Sequence, residues 1–393
     1  MSLLNKSKVL CPYCMQTISK NKIMYVCNGC MKVVEPKGLK MRPIKCDKRG
    51  CGEVALNRVC PECHPPIIRN GRKIIDTATY KKIPEEVLYE EKPYFPLSIV
   101  GVTGSGKTNY ITVMLEYLPR DATLGISVRS LNDEARQRQS NNLDKINEHV
   151  TPDPTPNAKP EPQIWKISKT LRKESWKTSW KTPTSFAFTI YDGAGEQVQG
   201  ETRQNIISYI GHSEAIIITV DPLGLDNIRM KLDPDDVKNS QRDTGKSYSA
   251  NSALDFIIGE IKKSKNTEKL GIPTAIVLTK FDTILKNDNF RDFLGNNFEE
   301  SETTFRDGKL YVGIIKEASD LIEGLLNKFG EDNFVKKTKQ YFENFMFFGV
   351  SCYGKPPKDN HTLNGDIKPH RVCDPILWLF YKKNLIGSYE EVN

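Results

Sequence analysis

The stretch Gly101-Val102-Thr103-Gly104-Ser105-Gly106-Lys107-Thr108 constrains this chain more than any other. It has the form G-x4-G-K-T. An extended apolar run, Leu97-Ser98-Ile99-Val100, precedes it, and a helical pattern from Tyr110 to Leu118 follows. Strand, glycine-rich loop and helix in that order make a phosphate-binding loop. The glycines let the backbone curl so that successive N–H groups point inward at phosphate oxygens. Lys107 is placed to reach β and γ phosphates, and Thr108 to offer a hydroxyl to Mg²⁺. Gly101, Gly104, Ser105, Gly106 and Asn109 complete the expected cradle, backed by the partial positive charge of the helix start.

Further downstream, β-rich runs end in polar clusters. Ser185 to Tyr191 alternates as a strand does and leads into Asp192-Gly193-Ala194-Gly195-Glu196-Gln197. A carboxylate ending a strand beside the phosphate-loop strand can hold Mg²⁺ through water, and the Gly195 N–H can meet a γ-phosphate. Ile216 to Val220 is an apolar core strand that ends at Asp221-Pro222. Thr274 to Leu278 is another, and Thr279-Lys280-Phe281-Asp282 follows it directly. The Asp282 carboxylate can accept from guanine N1–H and N2–H₂, a donor pair that adenine lacks, while the Lys280 stem can lie along base and ribose. A last core strand, Phe345 to Val350, runs into Ser351-Cys352-Tyr353-Gly354, where a backbone N–H can meet guanine O6. Cys352 reads as a small packed residue, not a reactive thiol.

Taken in order, Gly101–Thr108, Asp192–Gly195, Thr279–Asp282 and Ser351–Cys352 resemble the phosphate, Mg²⁺, base-specificity and base-contact motifs of the TRAFAC-class, Ras-like P-loop GTPases. The resemblance covers most of residues 93–393. It implies an α/β domain with a mostly parallel sheet and helices on both faces. It also implies GTP or GDP and Mg²⁺ as ligands, and slow GTP hydrolysis that a partner accelerates. Asp374-Pro375-Ile376-Leu377-Trp378-Leu379 and the D-G-A-G-E form are similar, in addition, to the bacterial double-GTPase families.

Two departures from the family pattern bear on mechanism. Thr279 stands where the family has Asn, keeping a hydroxyl and losing the amide. Glu196 stands where the family usually has a Gln that orients water, with Gln197 next. The catalytic group is therefore Lys107, Gly195 and Glu196, with Glu196 acting as a base or turned away from the γ-phosphate. For the threonine of a first switch loop, Thr151 and Thr155 are candidates, alongside Thr182 and Thr184. No arginine finger is identifiable; Arg203 is only a nearby candidate.

The N-terminal quarter follows different rules. Eight of the ten cysteines lie between Cys11 and Cys63. With no export signal in view, clustered cysteines point to metal more than to disulfides. Cys11-x2-Cys14 and Cys27-x2-Cys30 form one expected zinc set; Cys46-x4-Cys51 and Cys60-x2-Cys63 form the second. His64 is an alternative ligand for the second set. Two sequential zinc ribbons are the simplest arrangement, with an interleaved one as the alternative. Both zinc ions read as structural, replacing the core that so small a module lacks.

Residues 1–92 hold 18 Lys+Arg against 9 Asp+Glu, while the remainder holds 39 against 40, so the whole basic excess sits in this module. Docking of a protein partner, through the ribbons or the switch loops, is the leading expectation; nucleic acid is the alternative. Residues 164–184 interleave Trp165, Trp176 and Trp180 with lysines, and read as a strand or hairpin with buried tryptophans. Ile67 to Ile75 reads as a hairpin turning at Asn70-Gly71. The expected organisation is a zinc-ribbon module over 1–66, a connector over 67–92, and a nucleotide domain over 93–393 with insertions near 121–184, 222–250 and 283–340. No apolar run approaches the ~18–20 residues that span a membrane, and a cytoplasmic protein is expected.

Overall fold

Alternation within the central strands sends side chains to two faces of one sheet. In Ala215–Val220, Ala215 and Ile217 join one buried cluster while Ile216, Ile218 and Val220 join another. Ala275 and Val277 of the next strand likewise face away from Ile276 and Leu278. Strands that are apolar on both faces demand cover on both, which a sheet between helical layers supplies.

The structure is a computed structural model that describes residues 8–34, 44–78, 80–88, 94–102, 104–120, 125–153, 161–169, 182–192, 209–240, 249–295, 298, 304–306, 309–359 and 361–389. Its contacts divide the chain into two compact units, Met1–Tyr94 and Phe95–Asn393.

The larger unit is built on a seven-stranded sheet. Numbering all strands along the chain, its members are β10 (Tyr94–Gly101), β11 (Ile126–Ser130), β12 (Gln163–Lys169), β13 (Ser185–Asp192), β14 (Ala215–Val220), β15 (Thr274–Leu278) and β18 (Phe345–Gly349). Their order is β11-β12-β13-β10-β14-β15-β18. β10, β14, β15 and β18 run parallel, while β11 and β12, and β12 and β13, pair antiparallel. From β10 the chain crosses to the far edge at β11 and works back inward through β12 and β13, then passes to the other side of β10 and builds outward as β14, β15 and β18. In an open sheet of this kind the crevice beyond the carboxyl ends, at that change of side, is where ligands bind.

Helices α1 (Lys107–Tyr117), α2 (Asp133–Asn147) and α6 (Asp374–Lys382) cover one face. Helices α3 (Ala250–Lys265), α4 (Val312–Lys328) and α5 (Asp332–Tyr341) cover the other. Trp378 and Phe380 of α6 anchor the first layer, and the Phe380 ring meets Phe95, Phe186 and Phe188 edge-on.

Three elements run against the plain pattern of their residues. The polar stretch after Ser130 is a fifteen-residue helix, α2, with only Ala135 and Ile146 buried. Side-chain pairing stabilises it in place of an apolar stripe: Asn132 caps it, and Arg136–Asp133 and Arg138–Glu134 pair along it. The polar excursion beginning at Asp233 contains a short helix, Pro234–Ser240. Asp374 precedes Pro375 as an N-cap residue would, but the N-cap position of α6 is Cys373. The Asp374 carboxylate instead accepts from Thr304 Oγ1 at 2.6 Å and pairs with Arg371 Nε at 2.9 Å, all of it buried.

The smaller unit has little apolar core. Short strands β1 (Lys8–Leu10) and β2 (Thr17–Ser19) pair, as do β5 (Ile44–Lys45) and β6 (Val54–Ala55). β3 (Met24–Val26) lies between β4 (Val33–Val34) and β7 (Asn57–Val59). β8 (Ile67–Arg69) and β9 (Arg72–Ile74) form the expected hairpin, with Asn70 and Gly71 both at positive φ as a two-residue turn of this kind requires.

Gly349, at the end of β18, seats Phe281: a Cβ there would stand 2.8 Å from the fully buried Phe281 ring. Gly349→Ala should therefore lower stability by about 1–3 kcal/mol, the usual cost of overpacking. Denaturant titration of the variant checks this, and Gly349→Ala with Phe281→Leu should recover part of the loss.

Candidate functional site

Four loops converge beyond the carboxyl ends of β10, β14, β15 and β18. The first is the glycine loop. Gly104 and Gly106 take positive φ, and Gly106 stands at the N-cap of α1. Gly101 has no room for a side chain: a Cβ would lie 2.1 Å from Thr219 Oγ1 and 2.6 Å from Thr219 O. Ser105, fully buried, shares a 2.8 Å hydrogen bond with the same Thr219 hydroxyl. Lys107 folds back over the loop and donates to Gly101 O at 2.7 Å and Val102 O at 3.1 Å. Thr108 and Asn109 follow in the first turn of α1.

The second element, the loop after β15, is tied to the first. Thr279 Oγ1 donates to Ser105 O at 2.8 Å, with Val220 O also close at 3.2 Å. A hydroxyl is enough to span this gap. Lys280 sits at φ +49° and pairs its ammonium with Asp221 Oδ2 at 2.6 Å. Asp221 also accepts from the Leu223 N–H, so the end of β14 holds the residue that precedes Phe281.

Asp282 lines a cavity of 610 Å³ together with Ser351, Gly354, Lys286, Lys368 and His370. Ser351 Oγ donates to Asp282 Oδ1 at 2.7 Å and accepts from the Gly354 N–H at 2.7 Å. The loop beyond Ser351 returns so that Ser351 and His370 pair as backbone partners. Burial pushes the His370 imidazole down to about 4, which keeps it neutral. Cys352 is buried in the core and burial raises its thiol, as a packed residue requires.

Asp192 ends β13 with its side chain 1% exposed, facing Arg138 Nη1 at 3.4 Å. A near-buried carboxylate already beside a cation, and a hydroxyl in the first turn after the glycine loop, are hard oxygen ligands that suit Mg²⁺. Sequence reasoning missed Arg138, because it lies on a polar helix with no strand-end signal. Gly195, Glu196, Gln197, Thr155, Arg203, Trp176 and Trp180 lie outside the described residues. Thr151 is buried, and its N–H donates to His361 O at 2.8 Å, on the loop between Lys358 and Asn364 that borders the Asp282 cavity. Thr184 precedes β13, an eight-residue strand, at the end opposite Asp192, roughly 25 Å away at ~3.3 Å per residue. That removes Thr184, and Thr182 beside it, from contention as switch threonines.

The eight N-terminal cysteines gather in two groups of four, but not sequentially. Cys11, Cys14, Cys60 and Cys63 form one group; Cys27, Cys30, Cys46 and Cys51 form the other. Neither the sequential nor the interleaved pairing is found; the grouping is nested, with the last cysteine pair returned to the first and the two middle pairs together. Sulfur separations of 3.8 Å (Cys11–Cys63), 3.7 Å (Cys14–Cys60), 3.5 Å (Cys27–Cys51) and 3.7 Å (Cys30–Cys46) are far beyond a disulfide. They match the roughly 3.8 Å edge of a tetrahedron with Zn–S bonds of about 2.3 Å. His64 belongs to neither group.

No protein-family model and no curated protein matches the chain. Among solved structures it is similar to the Arl6 BBS3 small GTPase from Trypanosoma brucei with a bound nucleotide analogue, at 14% identity, covering 74% of this chain and 97% of that one, with TM-score 0.27. It is also similar to the signal recognition particle receptor SRb-GTP/SRX complex from Chaetomium thermophilum, at 12% identity, 68% and 94% coverage and TM-score 0.28. A third is a bacterial selenocysteine-specific elongation factor, EF-Sec, at 12% identity, 66% of this chain but 26% of that one, and TM-score 0.25.

Nested grouping predicts how metal is lost. Cys11→Ser with Cys60→Ser should remove one zinc per chain, whereas Cys11→Ser with Cys27→Ser should remove both. Metal analysis of the purified variants checks this; sequential sites would give the reverse.

Asp282 yields a second prediction. Burial, above all, raises its carboxyl above the ordinary 3.8, and the Ser351 hydrogen bond pulls the other way. A carboxyl with a raised folded-state pKa binds its proton more tightly when folded. Stability is then lost as pH rises from 3.8 through the folded value, and stays lost above it. Asp282→Asn should raise Tm at neutral pH, with the gain shrinking as pH falls toward 3.8, in paired thermal melts.

Proposed function

We propose that the chain is a guanine-nucleotide-binding switch that hydrolyses GTP slowly, and that its cysteine-rich module docks a protein partner. One observation carries the reading: the buried Asp282 carboxylate lines a cavity and is tied, through Thr279, to a glycine loop shaped for phosphates. A carboxylate held by Ser351 on one oxygen is suited to accept from paired N–H donors. Guanine presents such a pair, and adenine does not.

The roles then divide. Gly101, Gly104, Ser105, Gly106 and Asn109 line the phosphates with backbone N–H groups, and Lys107 leaves its carbonyl partners to bind phosphate oxygens. Thr108 and Asp192 would hold Mg²⁺, whose positive charge would offset that of the phosphates. Lys280 supplies an aliphatic wall, Cys352 presents its backbone N–H to the base, and Ser351, whose own backbone groups pair with His370, orients Asp282 through its hydroxyl. Gly195 meets the γ-phosphate, and Glu196 occupies the water-orienting position. A carboxylate there is repelled by phosphate, which accounts for slow intrinsic turnover. The module of residues 1–92, with its basic excess and two cysteine groups that would hold zinc, offers positive charge to an acidic partner.

Equilibrium binding of fluorescent GDP and ADP with Mg²⁺ tests the reading. GDP should bind at least about 100-fold tighter, because adenine would leave the buried Asp282 acceptor unpaired. Asp282→Asn should erase the preference, and Lys107→Ala should abolish GTP turnover. Equal affinity for the two nucleotides would sink the proposal.

A further inference from the structure

The carboxylate that ends β13 has a cation built against it. Arg138 Nη1 lies 3.4 Å from Asp192 Oδ2, with the two side chains 19% and 1% exposed. The guanidinium is held from its other side by Glu134, at 2.9 Å from Nε and 2.6 Å from Nη2. The helix that carries both residues is fastened to the glycine-loop helix. Gln139 Nε2 donates to Thr112 O at 3.0 Å, and Asn142 Nδ2 donates to Thr112 Oγ1 at 2.9 Å. Arg138 is therefore presented to Asp192 by a braced element, not by a loose side chain.

We propose that Arg138 competes with Mg²⁺ for Asp192, and so sets the Mg²⁺ concentration at which nucleotide binds. This rests on the switch reading, which assigns Mg²⁺ to that carboxylate. Charges removed from water interact strongly, so a guanidinium at this distance satisfies part of what the carboxylate would offer a metal. Arg138 has five N–H donors and keeps Glu134 when it gives up Asp192, so release leaves no unpaired charge. Glu134 is then an opposing control. Its carboxylate shares the guanidinium, and neutralising it leaves Arg138 to Asp192 alone.

The experiment is a Mg²⁺ titration of fluorescent-GDP binding to the full-length, zinc-loaded chain. Arg138→Ala should lower the Mg²⁺ midpoint about tenfold, in line with the loss of a close, partly buried charge pair. Glu134→Gln should raise it several-fold. Should Arg138→Ala prove unstable by thermal melt, Arg138→Lys keeps the charge without the fork and should lower the midpoint by a smaller factor. A purely structural role would move both residues' variants in the same direction or leave the midpoints unchanged, and either result overturns the proposal. A wild-type chain that binds no GDP overturns the switch reading and this inference together. One that binds GDP with unshifted midpoints overturns this inference alone.

Discussion

The candidate site depends on one buried hydroxyl. Thr279 reaches from the end of β15 to the Ser105 carbonyl, across the strand that separates them. A backbone carbonyl in a glycine loop needs a partner, since an unpaired one out of water is costly. By meeting that need, Thr279 places the Thr279–Asp282 loop at a set distance from the glycine loop. Ser105 and Thr219 extend the tie to β14, so three strand ends share one hydrogen-bonded seam. Removing the hydroxyl would free two loops at once.

The seam also explains why the polar residues here are buried without being orphaned. Ser98, Ser105, Thr219, Thr279, Asp282 and Ser351 are all nearly inaccessible, yet each has a described hydrogen-bond partner. Connected polar groups of this kind rigidify a site when they are fully satisfied. The cost of keeping Asp282 charged is the exception, and it falls on the residue with the sharpest proposed role.

Much of this arrangement was legible in the chain itself, for physical reasons that differ by element. The core strands announced themselves because both of their faces are apolar, and Ile216–Val220 and Thr274–Leu278 lie where the pattern put them. The glycine loop was legible because its backbone admits few other residues. Helix α2 was not, since polar pairs rather than an apolar stripe hold it, and Arg138 was missed along with it. The cysteine spacings named all eight ligands but not their partners, because grouping depends on which strands pair and spacing is silent on that. Asp374 looked like a cap because it precedes Pro375; burial against Arg371 and Thr304 assigns it elsewhere.

Nesting of the two cysteine groups has a consequence for the order of assembly. The inner group joins residues 16 and 24 positions apart, while the outer joins residues 46 and 52 apart. Loop closure costs more as the loop lengthens, by about 0.6 kcal/mol per doubling. A chain that closes the inner group first shortens the effective loop the outer one must close. The first metal ion to bind would then act as a template for the second, and the module would mature from its centre outward.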